Sequence, residues 1–145
     1  MKKLNNILNN VAVIEVIGAE DAEISSIQFD SRKVTNNDLF VAQRGVTVDG
    51  HVFIDKVIEL GAIVIVCEEV PQEIKSGVTY VKVADSNIAL AVMASNYYGN
   101  PSSKLKLIGV TGTNGKTTIA TLLYQLFKNA GFKVGLLSTV KILVD

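Results

Sequence analysis

Residues 107–118 read LIGVTGTNGKTT: an apolar run, then a loop with glycine at 112 and 115, lysine at 116 and threonine at 117 and 118. Gly112 and Gly115 let the backbone bend so that successive N–H groups converge on one anion. The helix predicted to follow adds partial positive charge at its N-terminus, so the pattern suits phosphate. In that setting Lys116 reaches the β- and γ-phosphates of a nucleotide as a point charge, and the Thr117 hydroxyl is placed to ligate Mg²⁺. The strict G-x-x-x-x-G-K-[ST] spacing requires glycine at 110, where this chain has Val110, so the match is a variant. The plain alternative is a ligand-free strand-to-helix turn. It requires the glycine spacing, the preceding apolar run and the following amphipathic stripe of Leu122, Leu123, Leu126 and Phe127 to coincide without cause.

The elements needed to hold such a loop can be read around it. Residues 105–110 suit a strand, the residues after Lys116 a long helix, and a further strand follows, which together predict one β-α-β unit. Upstream, Ile27 and Phe29 alternate, and LFVA at 39–42 is a short apolar run; both suit strands of a small sheet. Phe53, Ile54, Val57 and Ile58 have helical spacing over residues 51–60, with Gly61 at the C-cap position. AIVIVC at 62–67 has no polar alternation, which predicts a strand covered on both faces, and VTYVKV at 78–83 suits its neighbour. Asp85 or Ser86 can cap a helix running to about Tyr98, where Gly99, Asn100 and Pro101 stop it. The fold class is therefore α/β. A first domain spans residues 1–103, and a second piece spans residues 104–145, the start of a P-loop, doubly wound nucleotide-binding domain.

Composition narrows the function. Fourteen basic and fourteen acidic side chains cancel, so the chain has no general positive field for a nucleic-acid backbone or an anionic membrane, and any anion site must be local. The longest apolar stretch, residues 62–67, is far short of the ~20 residues of a membrane span, and the N-terminal MKKLNNILNN lacks a signal peptide's apolar centre. The expected location is cytoplasmic. Cys67, the one cysteine, ends an apolar run and is expected to pack as a small hydrophobe. His51, the one histidine, follows Asp49 and Gly50 and is expected to help start a helix.

The string GVTGTNGKTT resembles the ATP-binding signature of the Mur ligase and folylpolyglutamate synthetase family, which carries threonine and asparagine where other phosphate loops vary. FDSRKV at 29–34, DLFVAQRG at 38–45 and DGHVFI at 49–54 resemble the UDP-binding N-terminal domain shared by the MurE-type and MurF-type branches. TGTNGKTT, with the preceding YGNPS at 98–102, is more similar to the MurE-type branch.

The resemblance implies an ATP site at Gly112, Thr113, Asn114, Gly115, Lys116, Thr117 and Thr118, with Lys116 catalytic and Thr117 on Mg²⁺. It places Ser31, Phe29 and the loop Val46, Thr47 and Val48 at the UDP end of a nucleotide-sugar substrate. By itself the Asp30-Ser31-Arg32 segment is ambiguous, because its charges could equally form a surface pair. The implied reaction joins a diamino acid, meso-diaminopimelate or L-lysine, to UDP-N-acetylmuramoyl-L-Ala-D-Glu. A substrate carboxylate takes the γ-phosphoryl group of ATP, and the amine then displaces phosphate from the acyl phosphate. The family also uses a further Mg²⁺ site, a carbamylated lysine and a C-terminal domain outside these residues, so the chain is expected to be an inactive fragment, prone to self-association through apolar surface after residue 104. The alternatives are a MurF-type ligase, a non-catalytic UDP-sugar or nucleotide binding module, and a P-loop kinase or GTPase.

Overall fold

The computed structural model describes residues 1–45 and 48–144, and the chain divides into two compact units, Met1–Leu105 and Lys106–Asp145. The first unit begins with β1 (Lys2–Lys3), α1 (Leu4–Ile7), β2 (Val13–Ile17), β3 (Glu23–Ile24) and β4 (Ile27–Gln28). It continues with β5 (Asp38–Val41), α2 (Ile54–Glu59), β6 (Ala62–Cys67), β7 (Thr79–Val83) and α3 (Ser86–Tyr97). The main sheet has the order β2-β7-β6-β5-β4. Strands β4 to β7 run parallel, and β2 closes one edge antiparallel to β7.

Successive strand residues point to opposite faces, and here both faces are covered. Leu39 and Val41 of β5, Val64 and Val66 of β6, and Val81 and Val83 of β7 pack with Leu4, Ile7, Ala89 and Met93 of α1 and α3. Their alternates Phe40, Ile65, Cys67 and Tyr80 pack with Ile54 and Val57 of α2. The register Leu39↔Val64, Phe40↔Ile65 and Val41↔Val66 keeps each set on its own side. Each fully buried aliphatic or aromatic side chain contributes about 1.5–3 kcal/mol. The apolar run at 62–67 is thus the two-sided strand its composition predicts, and the Cys67 thiol is buried within it and pushed up to about 11 by that burial.

Local signals set the helix ends. The Asp85 carboxylate accepts from Asn87 N at 2.8 Å and Ile88 N at 2.9 Å, capping α3. The helix stops where Gly99 and Asn100 take positive φ (78° and 53°) and Asn100 N bonds Ser95 O at 2.7 Å. Near the end of α3, Asn96 Nδ2 donates to Ile7 O and Asn9 O at 2.9 and 2.6 Å, satisfying carbonyls at the end of α1. The helix expected over residues 51–60 opens as a 3₁₀ turn, Gly50–Phe53, because Asp49 caps that turn by accepting from His51 N. Gly61, at φ 105°, then ends α2.

The second unit contains α4 (Lys116–Asn129), β8 (Gly135–Leu137) and β9 (Ile142–Val144). Residues 105–110, suited by composition to a strand, form none here. A strand exists by pairing, and among the described residues no neighbour lies alongside; Leu107 and Ile108 are exposed. The expected strand after the helix is present as β8, but it pairs antiparallel with β9 in a hairpin, Leu136 opposite Leu143. Leu136 is buried, Phe127 meets Phe132 edge-on at 5.9 Å, and Leu122 and Leu126 remain exposed.

One buried charge organises the first unit. Asp38, fully buried at the start of β5, accepts from Ser26 Oγ (2.7 Å), Thr35 N (2.8 Å) and Thr35 Oγ1 (3.0 Å). It binds the turn before β5 to the segment before β4. Asp38→Ala orphans these donors and is expected to destabilise the chain by about 2–3 kcal/mol, with Asp38→Asn losing less, as read by urea denaturation. Cys67 is expected to resist alkylation at pH 8 in the native chain and to react once the chain is unfolded.

Candidate functional site

The phosphate-loop candidates lie together in the turn before α4, Gly112 to Gly115, and in the first turn of α4, Lys116 to Thr118. Gly112 and Gly115 take φ of 145° and 78°, a region that costs a residue with a Cβ about 1–2 kcal/mol. A Cβ added at Gly115 would meet open space, so it is backbone conformation that asks for glycine there. Gly115 is the N-cap of α4 and supplies no side-chain acceptor, which leaves the first-turn N–H groups without a side-chain cap and able to point at an anion. Lys116 Nζ folds over the loop and donates to Gly112 O and, at 3.2 Å, to Thr113 O. Its charge therefore sits above the loop backbone, where a phosphate would compete for it.

Thr113, Asn114 and Thr118 are exposed, and Thr117 is half-buried. Thr121 Oγ1 donates to the Thr117 carbonyl at 2.7 Å, which leaves the Thr117 hydroxyl itself available as a ligand. A depression of about 410 Å³ runs along this face between α4 and the β8–β9 turn, lined by Thr117, Thr118, Thr121, Gln125 and Lys141 together with the apolar Leu122 and Val140. Lys141, which no motif singles out, brings a second cation to that side. Among the described residues no group of three or more His, Cys, Asp and Glu side chains gathers to hold a metal. The Thr117 hydroxyl is an oxygen donor of the kind that Mg²⁺ takes beside phosphates and water.

The second candidate site belongs to the first unit. Strands β4 and β5 are parallel neighbours, Ile27 opposite Leu39 and Gln28 opposite Phe40, so the segments that follow them leave the sheet at the same, carboxyl edge. Phe29 and Ser31 follow β4 directly, and Val48 lies on the loop after β5. Phe29 is exposed despite its ring, Ser31 is half-buried, and Val48 is exposed. Val46 and Thr47 lie outside the described residues.

Between Phe29 and Ser31, Asp30 caps the 3₁₀ turn Ser31–Lys33 by accepting from Arg32 N at 3.1 Å. Arg32 closes a two-pronged pair on the same carboxylate, Nε to Oδ1 at 2.9 Å and Nη2 to Oδ2 at 2.8 Å. That side-chain bond is the main reason the Asp30 carboxyl is held down at about 2. Of the two readings open for this segment, the charges take the surface pair, so the half-buried Ser31 does not have Arg32 beside it as a free cation.

Sequence reasoning missed a polar network at this edge, built from Arg44, Asp49, His51 and Glu68. The only signal would have been position, since Arg44 and Glu68 follow the strands β5 and β6.

Comparison with known proteins agrees with the geometry. A model described as "Mur ligase family, catalytic domain" matches residues 23–98, and one described as "Mur ligase middle domain" matches residues 110–144. The UDP-N-acetylmuramoyl-L-alanyl-D-glutamate–2,6-diaminopimelate ligase of Bacteroides fragilis is 52% identical over 143 residues, covering 99% of this chain and 30% of the relative. The MurF ligase of Thermotoga maritima, solved in complex with ADP, aligns with a TM-score of 0.56 and 36% identity over 72% of this chain and 23% of that one. A solved UDP-N-acetylmuramoyl-L-alanyl-D-glutamate–2,6-diaminopimelate ligase aligns with a TM-score of 0.74 over 99% of this chain and 28% of that one; at 20% identity it supports the fold alone. The chain spans about 30% of the length of the curated relatives it matches. With family models covering most of both units, the chain belongs to the Mur ligase family.

Proposed function

We propose that this chain carries the nucleotide-sugar site and the phosphate loop of an ATP-dependent, ADP-forming ligase of peptidoglycan synthesis, which adds a diamino acid to UDP-N-acetylmuramoyl-L-Ala-D-Glu in the cytoplasm. The observation that carries the reading is the loop before α4: two glycines at positive φ, uncapped first-turn amides and a lysine folded across the backbone. A glycine N-cap alone would also serve an ordinary helix start, so the reading rests on its combination with Gly112 and the Lys116 contacts.

In this reading residues 104–145 open a doubly wound ATP-binding domain, whose further strands would pair with residues 105–110 and cover Leu122 and Leu126. Left uncovered, that face would favour self-association. Gly112, Thr113, Asn114, Gly115 and Thr118 hold the phosphates through backbone groups. Lys116 counters charge on the transferring γ-phosphoryl group, and the Thr117 hydroxyl would hold Mg²⁺, which would supply further positive charge against the charge developing there. Residues 1–103 form the UDP-muramoyl domain, with Phe29 offering a ring face, Ser31 a hydroxyl, and Val46, Thr47 and Val48 backbone groups at the UDP end. The activity that names the Bacteroides fragilis relative favours 2,6-diaminopimelate as the incoming amino acid over L-lysine.

The test uses the full-length protein with UDP-N-acetylmuramoyl-L-Ala-D-Glu, ATP-Mg²⁺ and each diamino acid. ADP release is expected to require the dipeptide substrate and one diamino acid, and to fall by about 10²–10³-fold in Lys116→Ala. ADP release that ignores the dipeptide substrate would remove the ligase reading and leave a nucleotide-binding module.

A further inference from the structure

The carboxyl edge of the main sheet holds a network that the proposed reaction does not use. Arg44, just beyond β5, faces three carboxylates: its Nε lies 3.6 Å from Asp49 Oδ2 and 3.6 Å from Glu68 Oε2, and its Nη2 pairs with Glu69 Oε1. Glu68, just beyond β6, accepts from Ser86 N and Ser86 Oγ at 2.9 and 2.8 Å, which ties it to the first residue of α3. His51 sits among these groups with its side chain only 13% exposed.

The two ring nitrogens of His51 meet partners of opposite kind. Nε2 lies 3.0 Å from the backbone N of Glu68, a group that can only donate. Nδ1 lies 2.6 Å from Asp49 Oδ1, part of a carboxylate that can only accept while ionised. His51's own backbone N–H and then its ring hold the Asp49 carboxyl below its usual range, so Asp49 is the ionised partner. Nε2 must therefore present its lone pair and Nδ1 must carry the proton, which describes one neutral tautomer.

The segment these contacts anchor folds back on itself as the two arms of a hairpin, residues 43–45 and 48–50. Arg44 and Asp49 form an antiparallel bridge, Gly45 N donates to Val48 O at 3.0 Å, and Gly50 N donates to Gln43 O at 2.7 Å. Those bonds tie the two arms to each other. Its link to β6 runs through Asp49 to the His51 ring and on to Glu68, with the Arg44 ion pairs alongside.

We propose that His51, as the neutral Nδ1–H tautomer, is a positioning residue that holds Asp49, and with it the Val48 arm of this hairpin, in register with the end of β6 for the UDP end of the substrate. The link to substrate rests on the ligase reading; the tautomer and the anchoring do not.

The test has two independent arms. In the 145-residue chain, where His51 is the single histidine, long-range ¹H–¹⁵N spectra are expected to show a protonated Nδ1 and a bare Nε2. There His51→Ala is expected to speed exchange of the Gly45 and Gly50 amides about 10-fold while leaving β6 and β7 amides unchanged. An Nε2–H ring, or unchanged exchange at both glycines, would overturn the anchoring. In the full-length protein, His51→Ala is expected to raise KM for UDP-N-acetylmuramoyl-L-Ala-D-Glu about 10-fold, with kcat and the KM for ATP within about 2-fold. His51→Asn, which keeps a donor for Asp49, is expected to recover part of the loss. An unchanged KM, or an equal loss in both KM values, would overturn the positioning role. A wild-type protein that does not turn over this substrate would overturn the ligase reading and the substrate link together, while the exchange result would still decide the anchoring.

Discussion

Two-sided burial of β5, β6 and β7 is the constraint on which the first unit depends. From Val64 to Cys67 the side chains alternate between the α1/α3 face and the α2 face, and neither face leaves room for an uncompensated polar group. Polar side chains must then leave the sheet where the strands end. The positions just beyond the strands are accordingly Phe29 to Arg32 after β4, Gln43 and Arg44 after β5, Glu68 and Glu69 after β6, and Asp85 after β7. A parallel sheet delivers all of these to one edge, which is why open α/β sheets bind ligands there. Asp38 and Thr79 are buried polar side chains within strands, tolerated because three donors satisfy Asp38 and the Thr79 hydroxyl donates to Ala19 O.

The second unit obeys a different economy. Its phosphate loop needs only consecutive residues: glycines for the backbone bend, a helix start for partial charge and a lysine for full charge. The loop can take shape in residues 111–118 without a neighbouring strand, and it does so here, although residues 105–110 remain unpaired. Local chemistry is thereby separated from long-range pairing. The loop keeps its glycine conformations and the Lys116 contacts even though the apolar stripe of α4 is only partly covered.

The same distinction explains what was legible in the sequence. β6, β7, the Asp85 cap and the stop at residues 99–101 could be read, because an uninterrupted β-branched run, an N-cap carboxylate and a Gly-Asn-Pro sequence each act within a few residues. The glycine turn at residues 112–115 and the helix start at Lys116 were legible for the same reason. The Arg32 partnership was open, since a fork of N–H donors suits a diphosphate and a neighbouring carboxylate equally, and only coordinates show which one holds it. The role of His51 was hidden because its partner Glu68 lies 17 residues away and offers a backbone amide, a group every residue has. The β8–β9 pairing was hidden likewise, because residues 142–144 suit a hairpin arm no better than a parallel strand.

The protonation states in the first unit bear on what it can do. Asp30 is held at about 2 by Arg32, Asp49 is lowered by His51, and Glu68 is lowered chiefly by the Ser86 N–H. The Cys67 thiol is pushed the other way, to about 11, by burial. His51 has both ring nitrogens engaged. A general acid or base works best when its pKa lies near the working pH and its reactive atom is free. These groups are either locked in one charge state or already bonded, so this edge is suited to holding a substrate in place rather than to moving its protons. Charge that can be redirected toward a reacting group lies instead in the second unit, where Lys116 rests on two carbonyls that a phosphate can replace. The hydrogen bonding of this chain thus separates an edge whose charged groups are already partnered from a lysine held only by backbone carbonyls.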